Sequence, residues 1–260
     1  MAEIKVGTCG YGYFNPPRGW KKKYKSKLQA YSDFFKVGEI NRTFYQLPMV
    51  KTTERWRSEV MEDFEFTLKV WQAITHPTSS PTWRKRKDAL SQEQQESFGL
   101  LRPNAQVLDA WEQTRQRAHL LEAKVCVFQC PESFTCTSEN RENMRRFFNS
   151  IDRGGLEIAW EPRGNWNENM DKIKELCGEL DLIHVVDLMR RKPVSDHPIA
   201  YIRLHGLNPR EYDYNYTYSE DELKQLADRL KELSQDHDQI YCMFNNFAMY
   251  ENARRLMELL

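Results

Sequence analysis

Residues 36–48 read Lys36-Val-Gly-Glu-Ile-Asn-Arg-Thr-Phe-Tyr-Gln-Leu-Pro48, and this stretch decides the fold. Val37, Gly38 and Ile40 have strand character, while Glu39 and Asn41 interrupt it at positions of one parity. Alternate side chains of a strand share a face, so the carboxylate and the amide point the same way. Thr43, Phe44, Tyr45 and Pro48 then turn the chain. Burying a carboxylate and an amide without partners is costly. Either neighbouring backbone satisfies the pair, or the strand delivers binding and catalytic groups to its C-terminal end. The other strands choose between these accounts.

Working outward, strands are expected at Ile4–Cys9, Phe64–Trp71, Lys124–Gln129, Leu156–Glu161, Leu182–Asp187, Ile199–His205 and Gln239–Asn245. Helical patterns separate them at Leu28–Phe35, Thr52–Met61, Ala105–Ala123, Asn140–Ile151, Met170–Leu180, Asp221–Leu233 and Ala248–Leu260, with one more helix in question around Asp187–Pro198. The alternation implies βαβ units and a parallel sheet. Eight such units in 260 residues, with no linker to split them, predict one (β/α)8 barrel domain spanning residues 1–260. The connection Ile74–Pro103, with a short helix near Gln92–Phe98, is long enough to be a functional loop over the barrel mouth.

Parity sorts the strand residues. Ile40, Phe64, Phe66, Leu68, Phe128, Leu156, Ile158, Trp160, Ile202, Leu204, Ile240, Cys242 and Phe244 share the face expected under the helices. His184 falls on that side too and reads as a core histidine. The opposite parity supplies Glu39, Asn41, Lys69, Gln129, Glu161, Asp187, Arg203, His205 and Asn245 near the C-terminal strand ends. Barrel active sites are built at that end, so these residues mark a ligand or catalytic pocket.

Composition narrows the function. Lys+Arg and Asp+Glu balance at 38 each, which gives no case for a generic polyanion binder. No apolar run is long enough to span a membrane, and the N-terminus enters a strand directly. The six cysteines form no CxxC pair, which suits a cytoplasmic protein with free thiols. The cluster Cys126, Cys130 and Cys136 matches no zinc spacing. The glycines after the first strand run GxxGxG from Gly7, not the dinucleotide order.

Gly7-Thr-Cys-Gly-Tyr, Glu39-Ile-Asn-Arg-Thr-Phe-Tyr, Phe66-Thr-Leu-Lys69, Ile74-Thr-His76, Phe128-Gln-Cys-Pro131, Glu161-Pro-Arg163, Val186-Asp187, Arg203-Leu-His-Gly206 and Phe244-Asn-Asn246 resemble the YecE-like family, domain of unknown function 72. The resemblance spans nearly the whole chain and implies a TIM-type barrel without naming a reaction. Cys9 and the basic Ser79–Lys87 segment depart from the family pattern.

The site residues point to acid/base chemistry on a small polar, anionic substrate, sugar- or phosphate-like, by a hydrolase, lyase or isomerase. Glu39, Glu161, Asp187 and His205 are the candidate catalytic groups, with a carboxyl raised by burial as general acid or base. Asn41, Tyr45, Lys69, His76, Gln129, Arg163, Arg203 and Asn245 are the candidate substrate-binding groups. Arg163 and Arg203 are expected to hold the anion with Glu161 between them; the alternative is a closed ion-pair network. Lys69 reads as one half of a buried Lys–Glu pair, or else as a Schiff-base nucleophile. A divalent metal on Glu39, Glu161, Asp187 and His205 is the less favoured version, because one histidine serves it and Lys69, Arg163 and Arg203 neutralise the carboxylates. Trp71, Trp166 and the tyrosines 212, 214, 216 and 218 either stack on a ligand or pack the rim. Competing functions are nucleic-acid binding through Lys21–Lys27, Arg84–Lys87 and the aromatic loop, or a non-catalytic ligand sensor.

Overall fold

The computed structural model describes residues 2–84 and 86–260; Lys85, inside the basic Arg84–Lys87 run, lies outside the described residues. Eight parallel strands form one sheet: β1 Glu3–Thr8, β2 Val37–Ile40, β3 Glu65–Lys69, β4 Val125–Gln129, β5 Glu157–Glu161, β6 Ile183–His184, β7 Ile199–Leu204 and β8 Gln239–Phe244. Neighbours pair in sequence order, and β8 pairs β1 over its full length. A single bridge, Val186 to Ile202, closes the seam between the sixth and seventh strands. The result is a TIM-type barrel.

Ten helices occur among the described residues, labelled in chain order: α1 Lys27–Ser32, α2 Arg42–Tyr45, α3 Val50–Ser58, α4 Gln72–Thr75, α5 Gln92–Ser97, α6 Ala105–Leu120, α7 Ser138–Ser150, α8 Met170–Leu180, α9 Glu220–Leu233 and α10 Met249–Leu259. The longer ones are ordinary amphipathic helices. In α9, Leu223, Leu226, Ala227 and Leu230 recur at helical spacing and are buried, and Ser219 with Glu222 forms a capping box at its start. No helix occupies residues 187–198. Asp187 Oδ1 accepts from Met189 N at 3.0 Å to make a turn, and Pro193 and Pro198 then keep the chain extended. Val194 N donates to His184 Nδ1 at 3.2 Å, so this histidine anchors the returning segment.

Two parities become two cores. The strand residues assigned to the helix side join one large cluster with the helices. Val37, Val125, Val127, Ala159, Ile183, Tyr201, Tyr241 and Met243 fill the barrel interior instead. At its N-terminal end, Lys5 pairs with Glu65, which also accepts from the Tyr241 hydroxyl at 2.7 Å. Gly7 is required for the close approach of β1 to β2, since a Cβ there would sit 2.4 Å from the Val37 carbonyl oxygen.

The connection after β3 is anchored at the mouth. Buried Trp83 donates Nε1 to the His76 carbonyl at 3.1 Å and stacks on Phe98. Gly99, at φ +88°, turns the chain back so that its N–H reaches the Ala73 carbonyl at 2.8 Å.

Candidate active site

A ladder of polar side chains climbs the barrel axis toward the C-terminal end. The Thr67 hydroxyl lies 2.7 Å from the Tyr201 hydroxyl, which donates to Glu39 Oε2 at 3.0 Å. Arg203 forks onto Glu39, Nε to Oε2 at 3.1 Å and Nη2 to Oε1 at 2.8 Å, and its Nη1 donates to Glu161 Oε2. Arg163 takes the other oxygen of Glu161, with Nε and Nη2 donating to Oε1 at 2.9 and 2.7 Å. Two carboxylates and two guanidiniums therefore alternate, and their charges cancel. Burial pushes the Glu161 carboxyl upward, but Arg203 and Arg163 outweigh it and hold the group well below the usual carboxylate range.

This geometry revises two expectations. Glu39 is wholly enclosed and Arg203 is 1% exposed, with each of its three nitrogens donating to a carboxylate. Glu39 is therefore paired with Arg203 and closed off from the cleft, and Arg203 has no nitrogen left to offer an anion, which is the closed ion-pair arrangement. Arg163 differs. Its Nη1 makes no hydrogen bond among the described residues, and its guanidinium lies 3.7 Å over the Tyr212 ring at the cleft wall.

A cleft of about 740 Å³ opens above the ladder, lined by Lys69, His76, Gln129, Arg163, Tyr45, Tyr212 and Tyr214, with Ser79–Thr82 of the long connection and exposed Arg210 at its rim. Lys69 does not form the Lys–Glu pair expected of it. Its Nζ donates to Gln129 Oε1 at 2.6 Å and lies 3.7 Å over the Phe44 ring, while Glu39 and Glu161 are committed to the arginines. Burial, reinforced by Arg203 and Arg163, pulls the amine from its ordinary 10.5 down to about 7. His76 is held between Thr75, whose hydroxyl lies 2.8 Å from Nδ1, and Gln129 on the Nε2 side. Burial, with Lys69 and Arg163, pulls its pKa well below the usual histidine range. His205 is buried beneath Tyr212 and Tyr214, and neither ring nitrogen has a hydrogen-bond partner among the described residues. Burial dominates there too and keeps its imidazole neutral at pH 7.

The remaining candidates stand away from the cleft. Asn41 Nδ2 donates to the Cys9 carbonyl at 2.8 Å and ties β2 to the end of β1. Asp187 accepts the backbone N–H groups of Met189 and His205, each at 3.0 Å; burial raises it to about 6 against the pull of those two bonds. Asn245 is half-buried and does not line the cleft. Lys25 and Lys27 line a different cleft, beside Arg42 and Trp56. Tyr201, which supports Glu39, was open to detection, since it shares parity with Arg203 two residues later. Phe44 under Lys69 carried no such signal.

Among the described residues, no three His, Cys, Asp or Glu side chains converge as a metal ion requires. Glu39 and Glu161 are bound by guanidiniums and Asp187 by backbone N–H groups, so with His205 they do not fit a divalent ion. All six cysteines are free, and no helix among the described residues is long and apolar enough to cross a membrane.

Fold and site together define a TIM-type barrel with a charge-compensated ladder under a polar cleft. The chain belongs to the family described as Protein of unknown function DUF72, whose model matches residues 5–260. It is similar to the UPF0759 protein YunF of Bacillus subtilis (strain 168), with 24% identity over 99% of this chain and 94% of that one. A crystal structure of a DUF72 family protein from Enterococcus faecalis V583 superposes with a TM-score of 0.72 and 21% identity, covering 99% of this chain and 95% of the other. A D-psicose 3-epimerase solved in the presence of D-fructose shares the fold, with a TM-score of 0.53, 10% identity and 97% of each chain covered.

Proposed function

We propose that the protein is a cytoplasmic enzyme that performs acid/base chemistry on a small polar, anionic substrate of the sugar or sugar-phosphate kind. The observation that carries this reading is the wall of the cleft. A guanidinium with a free arm, Arg163, stands there with Lys69, whose pKa lies near neutrality, and with uncharged His76. Groups that titrate near the working pH, or that are neutral at it, can take and return protons. Arg163 Nη1 supplies a charge-assisted donor for a phosphate or carboxylate, and its pairing with Glu161 fixes the guanidinium plane. Tyr45, Tyr212 and Tyr214 offer ring faces for the apolar face of a sugar. The likeness to D-psicose 3-epimerase is one of fold; the cleft itself favours a sugar-like ligand.

Calorimetric titration with inorganic phosphate, glycerol 3-phosphate and a panel of sugar phosphates tests the reading. Saturable binding is expected, weakened at least about tenfold in Arg163→Met, the loss of one charge-assisted bond. Equal affinity in the two proteins, or no binding in either, refutes it.

A further inference from the structure

The ladder pairs Glu39, Glu161, Arg203 and Arg163 with one another and leaves Lys69 outside it. Glu39 and Glu161 are shared between Arg203 and Arg163. Lys69, at the C-terminal end of β3, receives only the amide oxygen of Gln129 and the ring face of Phe44. A lysine buried for stability is normally placed against a carboxylate, because an uncompensated ammonium is costly out of water. Here an amide and a ring face offer only partial compensation, burial disfavours the charge, and Arg203 and Arg163 repel the charged form more than Glu161 and Glu39 attract it. At a pKa of about 7 a large share of the amine is neutral at neutral pH, and it stands on the wall of a cleft wide enough for a small molecule.

From this geometry we infer that Lys69 is a nucleophile that forms a Schiff base with an aldehyde or ketone whose anionic group is held by Arg163. The inference rests on the reading of the cleft as a small-anion site and names the reacting group of its substrate. The nitrogen lone pair adds to the carbonyl carbon, the carbonyl π electrons move to oxygen, and a proton passes from nitrogen to that oxygen. The carbinolamine hydroxyl takes a second proton from solvent and leaves as water, and the protonated imine remains on Nζ. That imine withdraws electrons from the adjacent carbon, so a proton lost there can pass to His76, which lines the same wall as a neutral imidazole. Hydrolysis of the imine restores the amine. The class of reaction is therefore carbon–hydrogen or carbon–carbon bond cleavage next to a carbonyl.

Reductive trapping tests this. The folded protein is incubated at pH 7 with sodium cyanoborohydride and dihydroxyacetone phosphate, glyoxylate or acetone, and the labelled peptide is mapped by mass spectrometry. Hydride delivered to the imine carbon leaves a stable secondary amine. Labelling is expected at Lys69 at least tenfold faster than at any other amine, faster with the two anionic carbonyls than with acetone, and slowed by glycerol 3-phosphate. Lys69→Arg should lose the adduct and still bind glycerol 3-phosphate in calorimetry, with its urea midpoint recorded to show that it folds. Arg163→Met should slow labelling by the anionic carbonyls more than labelling by acetone, which loses only the help that this guanidinium gives in keeping the amine neutral. Binding of glycerol 3-phosphate without preferential labelling of Lys69 overturns the Schiff base and leaves the small-anion reading standing. No binding and no preferential labelling overturns both.

Discussion

Lys69→Met is expected to make the protein more stable at neutral pH, contrary to the usual outcome for a buried substitution. Burial and the guanidiniums of Arg203 and Arg163 bring the amine from 10.5 to about 7. At about 1.4 kcal/mol per pH unit, that drop withholds about 5 kcal/mol of stability below pH 7 and about 4 kcal/mol at pH 7 itself. Methionine keeps the length and the apolar stem, and removes the charge. The lost Gln129 hydrogen bond and ammonium–Phe44 contact return about 2 kcal/mol of that. A net gain of about 2 kcal/mol remains at pH 7, or roughly 4–8 °C in the thermal midpoint. The sign with pH follows from proton binding. Between pH 7 and about 10.4 the unfolded chain holds a proton at this position that the folded chain does not. Wild-type stability therefore climbs by about 1.4 kcal/mol per pH unit across that window, and this contribution is lost as pH falls through about 7. Urea denaturation of both proteins at pH 7, 8 and 9 should show the advantage of Lys69→Met shrinking and vanishing near pH 9. A variant less stable than wild type at pH 7, or a gap constant across the range, refutes the reasoning and makes Lys69 a structural lysine.

Arg203→Met should cost about 3–5 kcal/mol in urea denaturation, because it strands Glu39 and one oxygen of Glu161 in the interior. Adding Glu39→Gln to it should restore at least about 1 kcal/mol, and strict additivity of the two single changes would count against the ladder. Glu161→Gln should destabilise the protein at pH 7, and the gap to wild type should close on acidification. The depressed carboxyl contributes stability above its unfolded value of about 4.3 and loses it as pH falls toward its lower folded value. A gap unchanged down to pH 3 would contradict that assignment. Gly99→Ala should lose about 2–3 kcal/mol, since the position has φ +88° and a Cβ there would lie 2.2 Å from Pro77 N; a midpoint within 1 °C of wild type would show that the turn relaxes freely.

Much of this architecture is written in local alternation. Period-two patterning on strands such as Phe64–Lys69 and Leu156–Glu161 separates the helix-facing core from the barrel interior, because a pleated strand has only two faces to offer. The same rule brings Lys69, Gln129, Glu161 and Arg203 to one end of the barrel. The sixth unit was harder to read. Val186 and Asp187 carry strand-like sequence, yet only Ile183–His184 pair as a strand, because Asp187 turns its carboxylate onto backbone N–H groups and the prolines beyond it admit no helix.

Alternation does not report which charges meet. Glu39 and Arg203 are 164 positions apart and touch because β2 and β7 face each other across the barrel, a fact of closure that no local window contains. Once Arg203 holds Glu39 and half of Glu161, and Arg163 holds the other half, neither buried glutamate remains for Lys69. Its partner is set by register instead. Lys69 pairs with Val127 across the β3–β4 ladder, which places Gln129 one step further toward the mouth on the same face. The expected Lys–Glu pair failed for that reason, and the failure is informative. A buried carboxylate left free beside Nζ would give a quiet lysine, whereas here Glu39 and Glu161 are both held by arginines and the amine is costly to charge. Local rules broken with only partial compensation are expected where a protein does chemistry, and Lys69 breaks them on the wall of the cleft, as His205 does beneath the tyrosines.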